Sequence, residues 1–374
     1  MHIQQHPLVS PSCGTQRHVT SFHFGAARAG GWPRKVYIQS SLHADEIPGM
    51  LVSHYLRELL TKAEAEQRLL GEIVLVPVAN PIGLSQSLLQ QPIGRFELGS
   101  GENFNRHYLS PGAELAERLA GKLGPDAAAN KRLIRQELGE LLAAATPTTE
   151  LESLRLTLHR LAHDADLVID LHCEWEGLMH IYAARGQWER VEELARYLEC
   201  PVSLLADHYG DTPFDEAIFM PWQELRRRFP DHPIPYDSVA VTVELRGQQD
   251  VTAELAQKDA AAIYASLVRA GLVEDDVPPP APLPYPTTPL EGSETMKAPS
   301  YGVLVLRLPL GSWVSEGELV AQIVDPVAGR TTDVHSPTEG LLYATVRKRY
   351  VMTGDSVAKV AGKAILKKGK LLDA

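Results

Sequence analysis

The residues best placed to do chemistry lie at the end of one apolar run, at positions 165–173. Residues 167–171 predict a buried strand, since the stretch is apolar apart from Asp170. Because strand side chains alternate between faces, Asp170 and His172 project to the same side. Such a pair suits a metal site, in which the imidazole is a ligand and the carboxylate fixes the tautomer of a ligand. A buried polar contact without a metal is the alternative.

Two more stretches supply the remaining residues of such a site. His43-x-x-Glu46 follows a predicted strand, although on its own this pair is more typical of a solvated loop. Zinc accepts nitrogen and oxygen ligands, and a catalytic zinc keeps three protein ligands, so His172 would be the third. Glu244 lies near the carboxyl end of a predicted strand at 238–245, where active sites of open α/β sheets are found. The residues therefore predict a hydrolase with one Zn²⁺ per chain, in which Glu244 is the general base.

Alternating strands and helices must position these residues. Apolar and turn patterns predict the following elements: strands at 18–24, 35–40, 72–78 and 179–183, helices from Pro48, over 187–198 and over 251–270, and a turn at Gly30-Gly31. Residues 84–110 are predicted to form a long loop, about 112–163 a helical insertion, and 203–235 is ambiguous. This alternation indicates an α/β fold with a parallel-rich sheet.

The composition changes sharply after residue 273. Residues 274–290 are proline-rich and predict a semi-rigid linker. Beyond them, the pattern Val-x-x-Gly-acidic-x-Val-Ala occurs twice, starting at Val314 and at Val351, which predicts a small pseudo-twofold β barrel or sandwich. We therefore expect a hydrolase domain at 1–273, a linker at 274–290 and an all-β domain at 291–374.

Charge and composition limit the classes of molecule that the protein is expected to bind. The net charge of −11 disfavours nucleic acid and anionic membrane surfaces, but not a small anionic substrate bound by local arginines. Three widely spaced cysteines predict no disulfide framework, and neither a signal peptide nor a run of 18 apolar residues is evident. We expect a cytoplasmic protein that acts on a small molecule, and self-association into a homo-oligomer is left open.

Five short motifs resemble the zinc carboxypeptidase family, and more closely its succinylglutamate desuccinylase/aspartoacylase branch. They are His43-x-x-Glu46, Asn80-Pro81-Ile82-Gly83, Asn103-Phe104-Asn105-Arg106, Asp170-Leu171-His172 and Val243-Glu244-Leu245-Arg246-Gly247. The resemblance covers roughly residues 35–250 and the C-terminal β domain. It implies a zinc-carboxypeptidase-like mixed sheet flanked by helices, with His43, Glu46 and His172 as zinc ligands and Glu244 as base.

The same resemblance implies roles for the remaining site residues. Asn105 and Arg106 would bind a substrate carboxylate, for which a planar guanidinium offers two parallel hydrogen bonds. Arg95 would polarise the scissile carbonyl and stabilise the oxyanion. Asp170 would orient His43 from behind the metal site. The expected activity is hydrolysis of an N-acyl amino acid or related small acyl amide, with a metallocarboxypeptidase acting on peptides as the alternative.

Two other sequence features indicate different functions or sites. Glu294-Thr295-Met296-Lys297 is similar to a biotin attachment signature, and the repeat resembles a biotinyl/lipoyl barrel, which raises a carrier or binding module as a third possibility. Lys297 precedes both repeats, however, whereas carriers place the modified lysine between them, so we expect no attachment. His159 and His163 have a spacing that can bind zinc, but without a nearby glutamate we expect a solvated helix face.

Overall fold

The computed structural model describes residues 1–25, 34–364 and 371, so the predicted Gly30-Gly31 turn lies outside the described residues. Up to residue 289 the strands, in chain order, are β1 (His2–Pro7), β2 (His18–Phe24), β3 (Lys35–Ser40), β4 (Glu72–Val76), β5 (Ser87–Leu88), β6 (Gln91–Pro92), β7 (Leu167–Glu174), β8 (Glu176–Gly177), β9 (His180–Ala183), β10 (Val202–Leu205), β11 (Val239–Gly247) and β12 (Thr288–Pro289). The α-helices are α1 (Pro48–Ala65), α2 (Pro81–Leu84), α3 (Gly112–Leu119), α4 (Ala127–Ala144), α5 (Glu150–Ala162), α6 (Trp188–Tyr197), α7 (Phe214–Arg228) and α8 (Ala253–Arg269).

The main sheet has the strand order β1-β2-β4-β3-β7-β11-β9-β10-β12. Its centre is parallel, since β4, β3, β7 and β11 pair in parallel, whereas β9 runs antiparallel to β11. Helices α1, α6 and α8 cover one face, and α5 and α7 cover the other. Strands of a sheet that is covered on both faces are apolar along most of their length. The central strands could therefore be predicted from the sequence. The predicted fold class, a mixed sheet flanked by helices, is confirmed.

The predicted helical insertion comprises α3, α4 and α5. Helices α3 and α4 pack against α7 around Trp222 and Leu225, and they form a separate apolar cluster away from the sheet. Helix α5 instead packs on the sheet through Leu154 and Leu158. Its start is fixed by a capping box, in which Thr149 and the third helical residue exchange hydrogen bonds. The insertion therefore joins the sheet through α5.

The structure also differs from the sequence-based prediction in places. The strand predicted at 72–78 ends at Val76, and the predicted loop at 84–110 contains the β5–β6 hairpin. The ambiguous segment 203–235 includes strand β10 and helix α7. The polar N-terminal strand β1 was not predicted, because it is exposed along most of its length and carries no apolar alternation.

The C-terminal β unit, which we define as residues 293–362, contains β13 (Ser293–Lys297), β14 (Gly302–Leu306), β15 (Trp313–Val314), β16 (Leu319–Asp325), β17 (Arg330–His335), β18 (Gly340–Thr345), β19 (Tyr350–Val351) and β20 (Ser356–Gly362). Two sheets, β13-β20-β18-β15 and β17-β16-β14-β19, enclose one apolar core. The two repeats are β14–β16 and β18–β20. Each gives its short middle strand to the other sheet, since β15 pairs with β18 and β19 with β14.

Two short strands help to link the β unit to the main sheet. Strand β8, which directly follows the Asp170–His172 strand, pairs with β18. Strand β12 lies inside the proline-rich segment and adds to the main sheet beside β10. That segment also accepts hydrogen bonds from Arg196 and Tyr197 of α6, so it lies along the protein rather than away from it. The domain boundaries themselves stay a prediction.

Within the described residues, none of the helices combines the length and apolarity needed to cross a bilayer.

Candidate active site

Three neighbouring strands present polar side chains to one face of the sheet. Glu244 on β11 stands opposite His172 on β7 and His180 on β9, and the row behind it holds Asp170, Thr242 and Tyr182. Residues that pair across neighbouring strands project to the same face. This array faces α7 and the β unit, whereas the opposite face of the same strands is apolar.

The predicted metal ligands come together. The chain leaves β3 through Ser41, whose φ of 62° turns it sharply, so His43 and Glu46 point back over the end of β7. His43 Nδ1 lies 2.9 Å from Glu46 Oε1, and His172 Nδ1 lies 2.8 Å from Glu46 Oε2. All three side chains are buried, so the alternative of a solvated loop pair is wrong.

The donor set fits a zinc ion. Ligand atoms of His43, Glu46 and His172 lie within 4.8 Å of one another, and nitrogen and carboxylate oxygen are ligands that zinc accepts. Both imidazoles turn Nδ1 towards Glu46, and Nε2 of His43 is hydrogen-bonded from behind, which is the usual arrangement of metal-binding histidines. Burial, followed by the charge of Arg95, lowers the pKa of His43 to about 4, so this imidazole is neutral near pH 7.

Asn103 fixes the tautomer of His43. Its Oδ1 accepts a hydrogen bond of 2.8 Å from the backbone N–H of Asn105, so this atom is the amide oxygen. His43 Nε2 lies 2.9 Å from the same oxygen and must therefore carry the proton. The lone pair of His43 is then on Nδ1, towards Glu46.

Asp170 lies behind the other histidine. Its Oδ2 is 3.0 Å from His172 Nε2, as an ion-pair contact rather than a well-aligned hydrogen bond. The expectation that Asp170 orients His43 is therefore wrong in its partner, because Asp170 and His172 share one strand face while Asn103 reaches His43 from a loop. Although burial opposes the charged imidazole, Asp170 and Glu46 raise the pKa of His172.

Glu244 lies in the same cavity as the ligand cluster. Burial, then the charges of Glu46 and Glu174, raise the pKa of Glu244 to about 8. Beyond Glu244 the register of β11 shifts, and Arg246 takes a left-handed φ of 65°. This bulge directs Arg246 to an ion pair with Asp259 on α8, so Arg246 does not share the face of Glu244.

The three remaining predicted residues line the cavity as well. Arg95 Nη1 lies 2.9 Å from Glu46 Oε1 and 3.1 Å from His43 Nδ1. Asn105 Oδ1 accepts a hydrogen bond from the backbone N–H of Phe214, at the start of α7. Arg106 is buried and donates to the backbone oxygen of Asn105 at 2.7 Å.

A glycine allows Arg95 to approach the ligands. The carbonyl oxygen of Gly94 accepts a hydrogen bond of 2.9 Å from Ala44, inside the His43–Glu46 turn. A Cβ at position 94 would overlap the backbone of Asp45. The loop carrying Arg95 therefore packs directly against the loop carrying the ligands.

Sequence reasoning did not identify several cavity residues. Glu174, two residues after His172 on the same strand face, pairs with Lys359 of the β unit. Lys359 stands in the second repeat where the first has Gln322, at a position that the repeat pattern leaves variable. Asp215, at the start of α7, also lines the cavity, and burial followed by the charge of Asp170 raises its pKa to about 7. The spacing of Glu174 from His172 on one strand face could have identified Glu174, whereas the repeat pattern held no signal for Lys359.

The β unit forms part of the cavity wall. Its lining residues are Ser293, Thr295, Tyr343, Ala344, Thr345, Val346, Ser356, Ala358 and Lys359. Near them, the Leu178 N–H donates to the Tyr343 carbonyl at 2.8 Å, and Glu176 accepts from Thr345 and Arg349. The strand that carries His172 thus continues directly into the contact with the β unit.

Structures similar to this fold have been solved. A succinylglutamate desuccinylase/aspartoacylase family protein from Shewanella amazonensis SB2B is 26% identical, with 97% of this chain and 99% of that chain covered and a TM-score of 0.83. A protein described in the same terms from Shewanella frigidimarina NCIMB 400 is 23% identical over 96% and 97% of the chains, with a TM-score of 0.84. The ectoine utilization protein of Ruegeria pomeroyi shares the fold at 16% identity over 96% and 95% of the chains, with a TM-score of 0.68.

No protein of curated function matches the chain significantly. The model of the succinylglutamate desuccinylase/aspartoacylase catalytic domain matches residues 33–269, which is more than half of the chain. This match confirms the resemblance inferred from the five motifs. The chain belongs to the succinylglutamate desuccinylase/aspartoacylase family.

Proposed function

We propose that this chain is a zinc-dependent amidohydrolase that removes the acyl group from an N-acyl amino acid or a related small acyl amide. The observation that carries the proposal is the convergence of His43, Glu46 and His172 beside Glu244 in one cavity. Three protein ligands leave coordination positions for water and substrate. A zinc ion held there would lower the pKa of a water molecule and polarise the scissile carbonyl.

Glu244 would transfer the protons. Burial raises the pKa of Glu244, and a carboxyl group whose pKa is moved towards the working pH is suited to general base and acid catalysis. Glu244 takes a proton from the water whose oxygen bonds to the acyl carbon. It then delivers that proton to the nitrogen as the carbon–nitrogen bond breaks, which releases the amine and the carboxylic acid.

The cationic residues would orient the substrate. Arg95 lies beside the ligand atoms and, once a zinc ion had displaced it from His43, would stabilise negative charge on the carbonyl oxygen. Arg106 would bind a substrate carboxylate. Asn105 would assist it through its side-chain NH₂, because its Oδ1 already accepts from Phe214.

The wall formed by the β unit favours a small amide over a peptide. Tyr343, Thr345 and Lys359 line the same cavity as the ligand cluster. A metallocarboxypeptidase must admit an extended chain, so this wall argues against that alternative. A carrier role has less support, since Lys297 ends strand β13 and the β16–β17 turn between the repeats, residues 326–329, contains no lysine.

Two measurements test the proposal. Purified protein should contain close to one equivalent of zinc by elemental analysis, and His172→Ala should lose most of it. N-acetyl, N-succinyl and N-formyl amino acids should then be compared with short peptides as substrates. Full zinc retention by His172→Ala, or faster hydrolysis of peptides than of every acyl amino acid, would contradict the proposal.

The carboxylate requirement is tested separately with Arg106→Ala. Breaking a buried charge pair should weaken substrate binding by roughly 2–5 kcal/mol. The loss should largely disappear when the substrate carboxylate is replaced by an amide. An equal loss with acid and amide substrates would show that Arg106 does not bind a carboxylate.

A further inference from the structure

One short loop carries much of the site. Residues 102–106 supply Asn103, which holds His43, and then Asn105 and Arg106. The loop belongs to the long connection between β4 and α3, in which β5 and β6 are the only strands among the described residues. Within this connection, Asn103 forms a β-bridge with Phe96, and the Phe104 N–H donates to the Arg95 carbonyl at 3.1 Å. Contacts from outside the connection add to this support, which a loop needs if it is to hold a metal ligand in one orientation.

Arg155 of α5 contacts this loop from the side of the helical insertion. Its Nη2 donates to the backbone carbonyl of Asn103 at 2.9 Å, and its Nη1 donates to Glu102 Oε2 at 2.8 Å. The arginine is only 8% exposed, so these contacts are shielded from water on most sides. Because α5 is capped and packed on the sheet, the guanidinium extends from a fixed support.

The contact continues to the metal site through Asn103. The backbone of Asn103 is held by Arg155, while its side-chain oxygen accepts from His43 Nε2 at 2.9 Å and from the Asn105 N–H at 2.8 Å. The far side of the loop is held by backbone hydrogen bonds from His107 and Tyr108 to residues 211 and 212. Arg155 therefore holds the side of the loop that faces His43.

We propose that Arg155 is a positioning residue of the metal centre, acting through Asn103 to keep the lone pair of His43 Nδ1 directed at the ion. This inference rests on the proposed zinc function, and it gives the helical insertion a role in that function. Arg155 touches neither the ligand atoms nor the cavity. Without its guanidinium, the carbonyl of Asn103 loses a donor, which weakens the support of Asn103 and, through it, that of His43.

Zinc affinity measured without substrate is the direct test. Competition with a chromogenic chelator should show that Arg155→Met weakens zinc binding about 10–100-fold, the loss typical of residues that support a ligand. Asn103→Ala should produce a similar loss. The double variant should lose little more than either single variant, because both changes break the same connection.

Arg160 on the same helix provides the matched control. It donates to the carbonyls of Leu142, Ala143 and Ala145 at the end of α4, away from the site. Arg160→Met should lower thermal stability while zinc affinity stays near that of the unmodified protein. Arg155→Lys, which keeps the charge but not the fork of two donors, should bind zinc with intermediate affinity and serves if Arg155→Met does not fold.

Unchanged zinc affinity in Arg155→Met or Arg155→Lys, with a loss in Asn103→Ala, would overturn the proposal. An equal loss in Arg160→Met would also overturn it, since the effect would then follow general helix stability. Absence of zinc binding by the unmodified protein would instead refute the proposed function, so the two failures are distinguishable.

Discussion

His43 Nδ1 has a single lone pair, for which a bound zinc ion and the guanidinium of Arg95 would compete. The tautomer fixed by Asn103 places that lone pair towards Glu46, where a zinc ion would bind. Arg95 Nη1 lies 3.1 Å from the same nitrogen and donates to Glu46 at 2.9 Å. One lone pair cannot serve a metal and a donor together. Zinc binding would therefore require Arg95 to leave His43.

Arg95→Ala should consequently bind zinc more tightly. A hydrogen bond to a charged group contributes about 1.5–3 kcal/mol, so we expect a gain on the order of 10–100-fold in affinity. The control is Lys359→Met, which removes another cation of the cavity without touching the ligand atoms and should have a smaller effect. Equal affinities of Arg95→Ala and the unmodified protein, by chelator competition, would show that Arg95 does not compete.

Glu244→Gln should separate proton transfer from metal binding. The amide keeps the size of the side chain but cannot accept the proton of water, so kcat should fall by about 10²–10⁴-fold. Zinc content should not change, because Glu244 is outside the group formed by His43, Glu46 and His172. A variant with near-normal kcat would exclude Glu244 as the base.

For individual residues, the sequence predicted which side chains line the cavity better than it predicted their hydrogen-bond partners. The sequence identified four of them because each lies at or just after the end of a predicted strand: His43, Glu46, His172 and Glu244. That Asn103, and not Asp170, is the partner of His43 could not be predicted, because this contact depends on how one loop folds back over another. Pairings of this kind depend on packing rather than on local pattern.

Among the elements, helix α5 contains a buried titratable group that is unrelated to the site. His159 is 1% exposed, so the predicted solvated helix face is wrong for this residue. Burial, followed by the nearby His163, lowers the pKa of His159 from 6.5 to about 3. The unfolded chain therefore binds a proton between these pH values that the folded protein does not. The stabilisation is complete above pH 6.5 and is lost as the pH falls towards 3.

The free energy of unfolding should show this dependence. At pH 4.5, two units below the unfolded pKa, His159 should account for about 2–3 kcal/mol of lost stability. His159→Leu should remove that part, so the difference in unfolding free energy between variant and unmodified protein should change between pH 7 and 4.5. The same experiment on His54→Leu, an exposed helix histidine, is the control. Parallel pH profiles for His159→Leu and the unmodified protein would contradict the assignment.

The elements that were hard to predict share physical causes. Helix α7 has Pro221 in its interior, which interrupts the helical pattern, although the neighbouring Trp222 and Leu225 pack into an apolar cluster. Strand β1 is an exposed edge strand with little apolar content. The central strands β3, β7 and β11 were clear because both of their faces are buried.

At the scale of the molecule, the Glu174–Lys359 ion pair joins β7, the strand that carries His172, to the β unit. The side chains are 18% and 29% exposed. In unfolding experiments on a double-mutant cycle, Lys359→Met and Glu174→Gln should be non-additive by about 0.5–3 kcal/mol. The exposed pair Arg349–Glu176, measured in the same way, should couple by less. Additive effects for Glu174 and Lys359 would show that the pair does not hold the two parts together.

The repeat made the β unit predictable, whereas its contact with the cavity was not. Glu174 and Lys359 are 185 residues apart in sequence, and no local pattern joins them. The pairing of β8 with β18 is equally remote. Long-range docking of two correctly predicted parts was therefore the step that the sequence did not reveal.

In the β unit, each repeat pairs its short strand with the other repeat, and this affects the order in which the chain can fold during synthesis on the ribosome. Neither repeat can close its own sheet, since β15 belongs with β18 and β19 with β14. The unit must therefore await its second repeat, whereas His43, Glu46, His172 and Glu244 have all emerged long before. A nascent chain would then expose these four residues first and acquire the β unit that lines their cavity last.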